Sequence, residues 1–114
     1  MLLVCRFAPE EAEAFLARAR RAVGLLAAQP DCLAVELGRA TEDPDRWVLV
    51  ATFASLTAYR RALQPFEVRE HVVPLLSEAL TDELSTFERA LHGGPDGVVE
   101  FESVLTDRTG RGRS

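Results

Sequence analysis

The chain contains no lysine, no asparagine and no isoleucine, and all thirteen of its basic residues are arginine. High-GC codon usage accounts for the bias, yet it has a chemical consequence. Schiff-base catalysis needs a lysine amine and is excluded, as is any role for an asparagine amide. Histidine is nearly as scarce. His71 and His92 lie far apart without flanking ligand spacing, so a protein-built metal site is not expected. Cys5 and Cys32 read as small buried hydrophobes rather than as a disulfide or metal pair. There is no nucleophile elbow, no Walker-type phosphate loop and no dinucleotide-binding glycine turn. No apolar run approaches the roughly eighteen residues of a membrane span. The apolar start, MLLV, is soon followed by Pro9-Glu10-Glu11, so no secretory signal is read there and a cytoplasmic location is expected. A net charge of −5 argues against nucleic acid or an anionic membrane as partner.

What is present fits one domain. The 114 residues are 47% hydrophobic and 27% charged, an ordinary balance for a globular chain that buries about 65% of its unfolded surface. Residues 1–105 are read as that domain and 106–114 as a polar, arginine- and glycine-containing flexible tail.

The organising stretch is Arg46 to Leu80. It opens with a strand apolar on both faces: Trp47, Leu49, Ala51 and Phe53 point one way, Val48 and Val50 the other. Ser55 is placed to cap a helix whose apolar positions are Leu56, Tyr59 and Leu63. Pro65 ends it, and a second amphipathic segment runs from about Phe66 to Leu80, with Pro74 predicting a break near Val73.

Ahead of this stretch, Leu2 to Phe7 reads as a strand. Pro9 is expected at the first position of a helix with the stripe Ala12, Phe15, Leu16, Ala19, Val23 and Leu26, ending near Gln29-Pro30-Asp31. Cys32 to Arg39 alternates, with Leu33, Val35 and Leu37 on one side, and the turn residues 41–45 predict a hairpin into the next strand. Towards the C-terminus a fourth strand is expected across about Ser85 to Leu91. A turn follows over His92 to Gly97, then a fifth strand over Val98 to Leu105.

The order β-α-β-β-α-β is the ferredoxin-like α+β plan, an antiparallel sheet with helices on one face. The outer face, carrying half of an apolar third strand, is left for an interface. Two sheets packed face to face as a homodimer are therefore expected, with the last strand pairing or packing at that interface.

The succession of strand, FASLTAY, RRAL and FEVREHVVPLL resembles the antibiotic biosynthesis monooxygenase family over roughly residues 1–91. The resemblance implies a dimeric α/β barrel with a cleft between helices and sheet for an aromatic small molecule. Three positions align with functional positions of the family. Phe53 ends the third strand where many members carry Trp. Tyr59 matches the family's helix tyrosine. His71 falls where the haem-degrading members place their iron-ligating histidine. That branch also uses an Asn on the first strand and a Trp at the end of the third, and neither is present here. The quinone-forming branch oxidises phenolic polyketides with oxygen and no added cofactor. It uses an Asn and a Trp on the third strand, whose places fall on Leu49 and Phe53, and it shares Tyr59.

The function expected is cofactor-independent oxygenation of a phenolic metabolite. Tyr59 orients the substrate, His71 is the candidate base, and Phe53, Trp47 and Leu49 are the apolar lining. The alternative is a non-catalytic ligand-binding or structural dimer of the same fold, with haem binding through His71 as a third option.

Overall fold

The protein is described here from a computed structural model covering residues 1–81 and 85–103. Its sheet begins with β1 (Leu2–Phe7), which pairs antiparallel along its whole length with β3 (Trp47–Phe53), so that Cys5 faces Leu49 and Phe7 faces Trp47. Strand β2 (Cys32–Arg39) flanks β3, and the short β4 (Thr86–Phe87) flanks the other edge of β1, giving the order β2-β3-β1-β4. This is the ferredoxin-like arrangement that the element order predicts.

Alternation decides the core. In β3, Trp47, Leu49, Ala51 and Phe53 are buried, while Val48, Val50 and Thr52 on the opposite face are half-buried. Leu3, Cys5 and Phe7 of β1 join the buried face. Helix α1 (Ala12–Ala27) covers it with Phe15, Ala19, Ala22 and Leu26.

The helix starts later than expected. Pro9 is not its first residue: Glu11 is the N-cap, and Ala8 to Glu11 carry the chain from the sheet to the helix layer, leaving only Glu13 in the first turn. Past the helix, Asp31 adopts a positive φ of 63° as the chain reverses into β2.

The predicted face of β2 also needs correcting. The register shifts between Cys32 and Ala34, a bulge that places Leu33 outside the ladder at 58% exposure. One extra residue inverts the alternation, so Cys32 rather than Leu33 joins Val35 and Leu37 against the core.

Ser55 caps α2 (Leu56–Ala62) as its position implies, its Oγ accepting from Ala58 N at 3.0 Å. The buried face of α2 is built on Ala58 and Ala62, flanked by half-buried Tyr59 and Leu63, while Leu56 is exposed. After Pro65 come α3 (Phe66–His71) and α4 (Val73–Leu76), separated at Val72. Pro74 explains the break, since its ring clashes with the carbonyl four residues back in a continuous helix. Val68, Val72 and Leu75 hold both pieces to the core.

The C-terminal region departs most from expectation. Only Thr86 and Phe87 pair with β1, continued by Val4 N donating to Ser85 O at 2.7 Å. The chain then forms a separate hairpin, β5 (Leu91–Gly94) with β6 (Gly97–Glu100). The span His92 to Gly97 is therefore mostly strand, and the turn is Pro95-Asp96 alone, followed by Gly97 at φ +116°. The expected fifth strand, Val98 to Leu105, is cut short: it is one arm of this hairpin, ends at Glu100, and is not continued by residues 101–103. Its residues 104–105 and the expected tail 106–114 lie outside the described residues. Both arms are exposed, including Leu91, Val98 and Val99.

Candidate functional site

Two aromatic groups occupy opposite ends of β3. At its C-terminal end the Phe53 and Tyr59 rings meet edge to face, with centroids 5.5 Å apart and planes at 62°. The Ser55 cap sets this geometry, because it starts α2 so that Tyr59 falls beside the buried helix face. Tyr59 is half-buried, and burial pushes its phenol above the usual range, with the neighbouring Cys5 thiol adding to the effect. Burial likewise raises the Cys5 thiol, which makes it a poor nucleophile.

At the N-terminal end, Phe15 stands between Phe7 (5.1 Å) and Trp47 (5.7 Å). Arg39, opposite Trp47 in the β2–β3 ladder, lays its guanidinium over the indole with its carbon 4.6 Å from the ring centroid. The indole Nε1 is buried and has no acceptor among the described residues.

Of the expected site residues, Phe53 and Tyr59 are thus brought together. Trp47 stands six residues from Phe53, about 20 Å along the strand. Leu49 and Phe53 have no exposed surface, so neither is open to direct contact with a ligand. His71 closes α3 beside the buried Val68 and Val72, with a third of its side chain exposed and its Nε2 4.0 Å from a Glu70 carboxylate oxygen.

Of the expected residues, Trp47 lines one of two cavities. One, of about 460 Å³, lies at the Trp47 end between Phe7, Arg39, Arg46, Val48 and Leu80. The other, of about 350 Å³, lies between Met1, Ser55, Leu56, Phe87, Arg89 and Phe101. Neither includes Tyr59 or His71. Sequence reasoning missed the first cavity. Its only signal was the placing of Arg39 and Trp47 on either side of one hairpin turn. Among the described residues, no three His, Cys, Asp or Glu side chains cluster as a metal site, and no helix is long and apolar enough to cross a membrane.

The sequence model of the antibiotic biosynthesis monooxygenases matches residues 2–73. The chain belongs to the antibiotic biosynthesis monooxygenase family. Solved structures agree. SnoaB, a cofactor-independent oxygenase from Streptomyces nogalater, is 25% identical, with a TM-score of 0.64 over 77% of this chain and 91% of its own. A protein described as an antibiotic biosynthesis monooxygenase is 21% identical, with a TM-score of 0.57 over 91% of this chain and 99% of its own. A conserved protein of Methanosarcina mazei Go1 shares the fold at 18% identity, with a TM-score of 0.60 over 72% of this chain and 82% of its own. No curated protein matches the sequence.

Proposed function

We propose that the protein is a homodimeric, cofactor-independent monooxygenase acting on a phenol-bearing aromatic metabolite. The observation that carries this reading is the Phe53–Tyr59 pair. It sets a half-buried phenol at the boundary of helices and sheet, in a fold shared with an oxygenase that needs no cofactor. Tyr59 donates to and orients the substrate oxygen. Phe53 fixes the Tyr59 ring from the sheet side, and Trp47 anchors the far end of the strand.

The chemistry needs no redox group, because the substrate supplies the electrons. A base removes the phenolic proton, and the electron-rich anion passes electrons to oxygen and combines with it. Loss of water from the resulting peroxide turns a ring CH₂ into a carbonyl. One oxygen atom enters the product and the other leaves as water. His71, which closes α3, is the residue assigned to that proton.

A second reading, a binding module without chemistry, is favoured by the apolar character of the Leu49 and Phe53 positions. They offer no donor to an anion, and one well-aimed donor is worth about 3 to 4 kcal/mol in a dry site. Haem binding through His71 is a third reading, and the Glu70 carboxylate oxygen 4.0 Å from its Nε2 weighs against it.

Oxygen uptake with a panel of anthrone- and naphthol-like compounds separates the readings. Turnover without added flavin, metal or nicotinamide supports the oxygenase. Tight binding of the panel with no uptake moves the assignment to the binding module.

A further inference from the structure

We propose that the cavity at the Arg39–Trp47 end of the sheet is a second ligand site, built for a small planar aromatic carboxylate. It lies about 20 Å along β3 from the Phe53–Tyr59 pair and does not depend on the oxygenase reading.

Its walls are of two kinds. Phe7, Trp47, Val48 and Leu80 supply apolar surface, and a volume of about 460 Å³ is ample for a one- or two-ring ligand. The charge is arginine. Arg39 is held from two sides: its Nε donates to Pro44 O at 2.7 Å, and its guanidinium carbon lies over the Trp47 ring, 4.6 Å from the centroid. The Nε bond uses one of the five N–H donors of the guanidinium and leaves those of the Nη edge for another partner. Among the described residues Arg39 makes no ion pair, so this edge is a preorganised fork for a carboxylate.

The one acid in the wall does not compete for it. Asp43 Oδ1 accepts from Asp45 N at 3.1 Å, and Oδ2 pairs with Arg46 at 3.7 Å. An oriented arginine with no acid paired to it among the described residues, in a chain of net charge −5, is a local reversal of sign that a surface designed only for solubility does not require. A ring bearing a carboxylate meets both kinds of wall: the anion takes the Arg39 fork, and the ring lies against Leu80 and the exposed margin of Trp47. A phosphate or sulfate satisfies the arginine but leaves the apolar walls unused.

Trp47 is the only tryptophan, so its emission reports on this cavity alone. The probes are 1-naphthoate and benzoate, with 1-naphthamide as the neutral counterpart, followed by fluorescence and by calorimetry. The wild type should bind 1-naphthoate with a change in Trp47 emission and bind the amide about 10- to 100-fold more weakly, as loss of a charge-assisted hydrogen bond implies. R39Q should weaken the acid by a similar factor while leaving the amide unchanged, and R39K should recover little, since a point charge does not reproduce the fork. Y59F should keep full affinity for the acid, and R39Q should leave oxygen uptake with the anthrone panel unaltered. Equal affinity for acid and amide overturns the proposal, and that comparison on the wild type stands even if R39Q fails to fold. Undiminished binding in R39Q, loss of binding in Y59F, or no binding of any acid at millimolar concentration also overturns it.

Discussion

Phe53 and Tyr59, six residues apart on either side of the Ser55 cap, meet edge to face at 5.5 Å and so couple the end of β3 to the first turn of α2. Such a pair is worth about 0.5–1.5 kcal/mol beyond the area it buries. Tyr59→Phe keeps the ring and should lower stability by less than about 1 kcal/mol. Tyr59→Ala loses ring and pair together and should cost about 2–4 kcal/mol, somewhat below a fully buried aromatic. Urea denaturation of the two variants checks the order. Equal losses would show that the hydroxyl, not the ring, is what the site holds.

The pH dependence of stability follows from the same residue. Burial raises the Tyr59 phenol above its unfolded value of about 10. In the window between the unfolded and folded values the unfolded chain has lost a proton that the folded one retains. The contribution is therefore complete below about pH 10 and lost as pH rises through the folded value. Cys5 and Cys32, also raised by burial, add a decline of the same sign that begins at about pH 8.5. Urea midpoints should be insensitive to these groups near neutrality and fall in alkali. Tyr59→Phe should flatten the portion above about pH 10. A Tyr59→Phe curve parallel to the wild type at high pH would contradict the burial of this phenol.

Much of the architecture was legible because local and global signals agree. The two-faced strand Trp47–Phe53, the Ser55 cap and the Pro74 break each have one physical meaning, and each appears where its residues imply. Leu33 was misread because a bulge inserts a residue without changing composition, and alternation alone does not reveal the inversion. The glycines Gly93, Gly94 and Gly97 look like a loop, yet they pair as strands around a two-residue turn, since the ladder needs backbone and not side chains. The site was legible only in part. Phe53 and Tyr59 are close in sequence and in space, whereas the Arg39–Trp47 stack depends on cross-strand register, which the hairpin had first to fix.

The cap itself is testable. Ser55 Oγ satisfies the Ala58 N–H, one of the donors that a helix start leaves open. Ser55→Ala should lower stability by about 1 kcal/mol, and Ser55→Asp should retain most of it. Because the cap aims Tyr59, Ser55→Ala should also loosen the ring pair, seen as a weaker near-ultraviolet tyrosine signal. An unchanged spectrum would mean that packing of Ala58 and Ala62 positions the helix without the cap.

The outer face of the sheet predicts the assembly. Val4, Val48, Val50 and Thr52 point away from the buried core and are only half-covered. Light scattering at micromolar concentration should give twice the chain mass of 12.6 kDa. Val50→Asp, central on that face and opposite Val4 in the ladder, should shift the protein to monomer or to aggregate, because a charge there leaves an interface core without a partner. A stable, folded wild-type monomer would remove the homodimer from the proposed function.

The base assignment is decided by kinetics. A phenol with a pKa near 10 is almost wholly protonated at neutral pH, so a positioned base is required for the reactive anion. Removal of that proton by a side chain typically contributes about 10²- to 10⁴-fold. His71→Ala should reduce turnover by that factor with little change in affinity, the pattern of a group acting in the transition state. Tyr59→Phe removes a hydroxyl and almost no volume, so it should cost less in rate and appear mainly as misorientation. Circular dichroism of both variants guards against misfolding, because His71 borders the buried Val72. If external imidazole restores the rate of His71→Ala, the proton leaves through that position. If the wild type turns over and both variants match it, neither residue belongs to the mechanism. The positioned base must then be sought at another side chain.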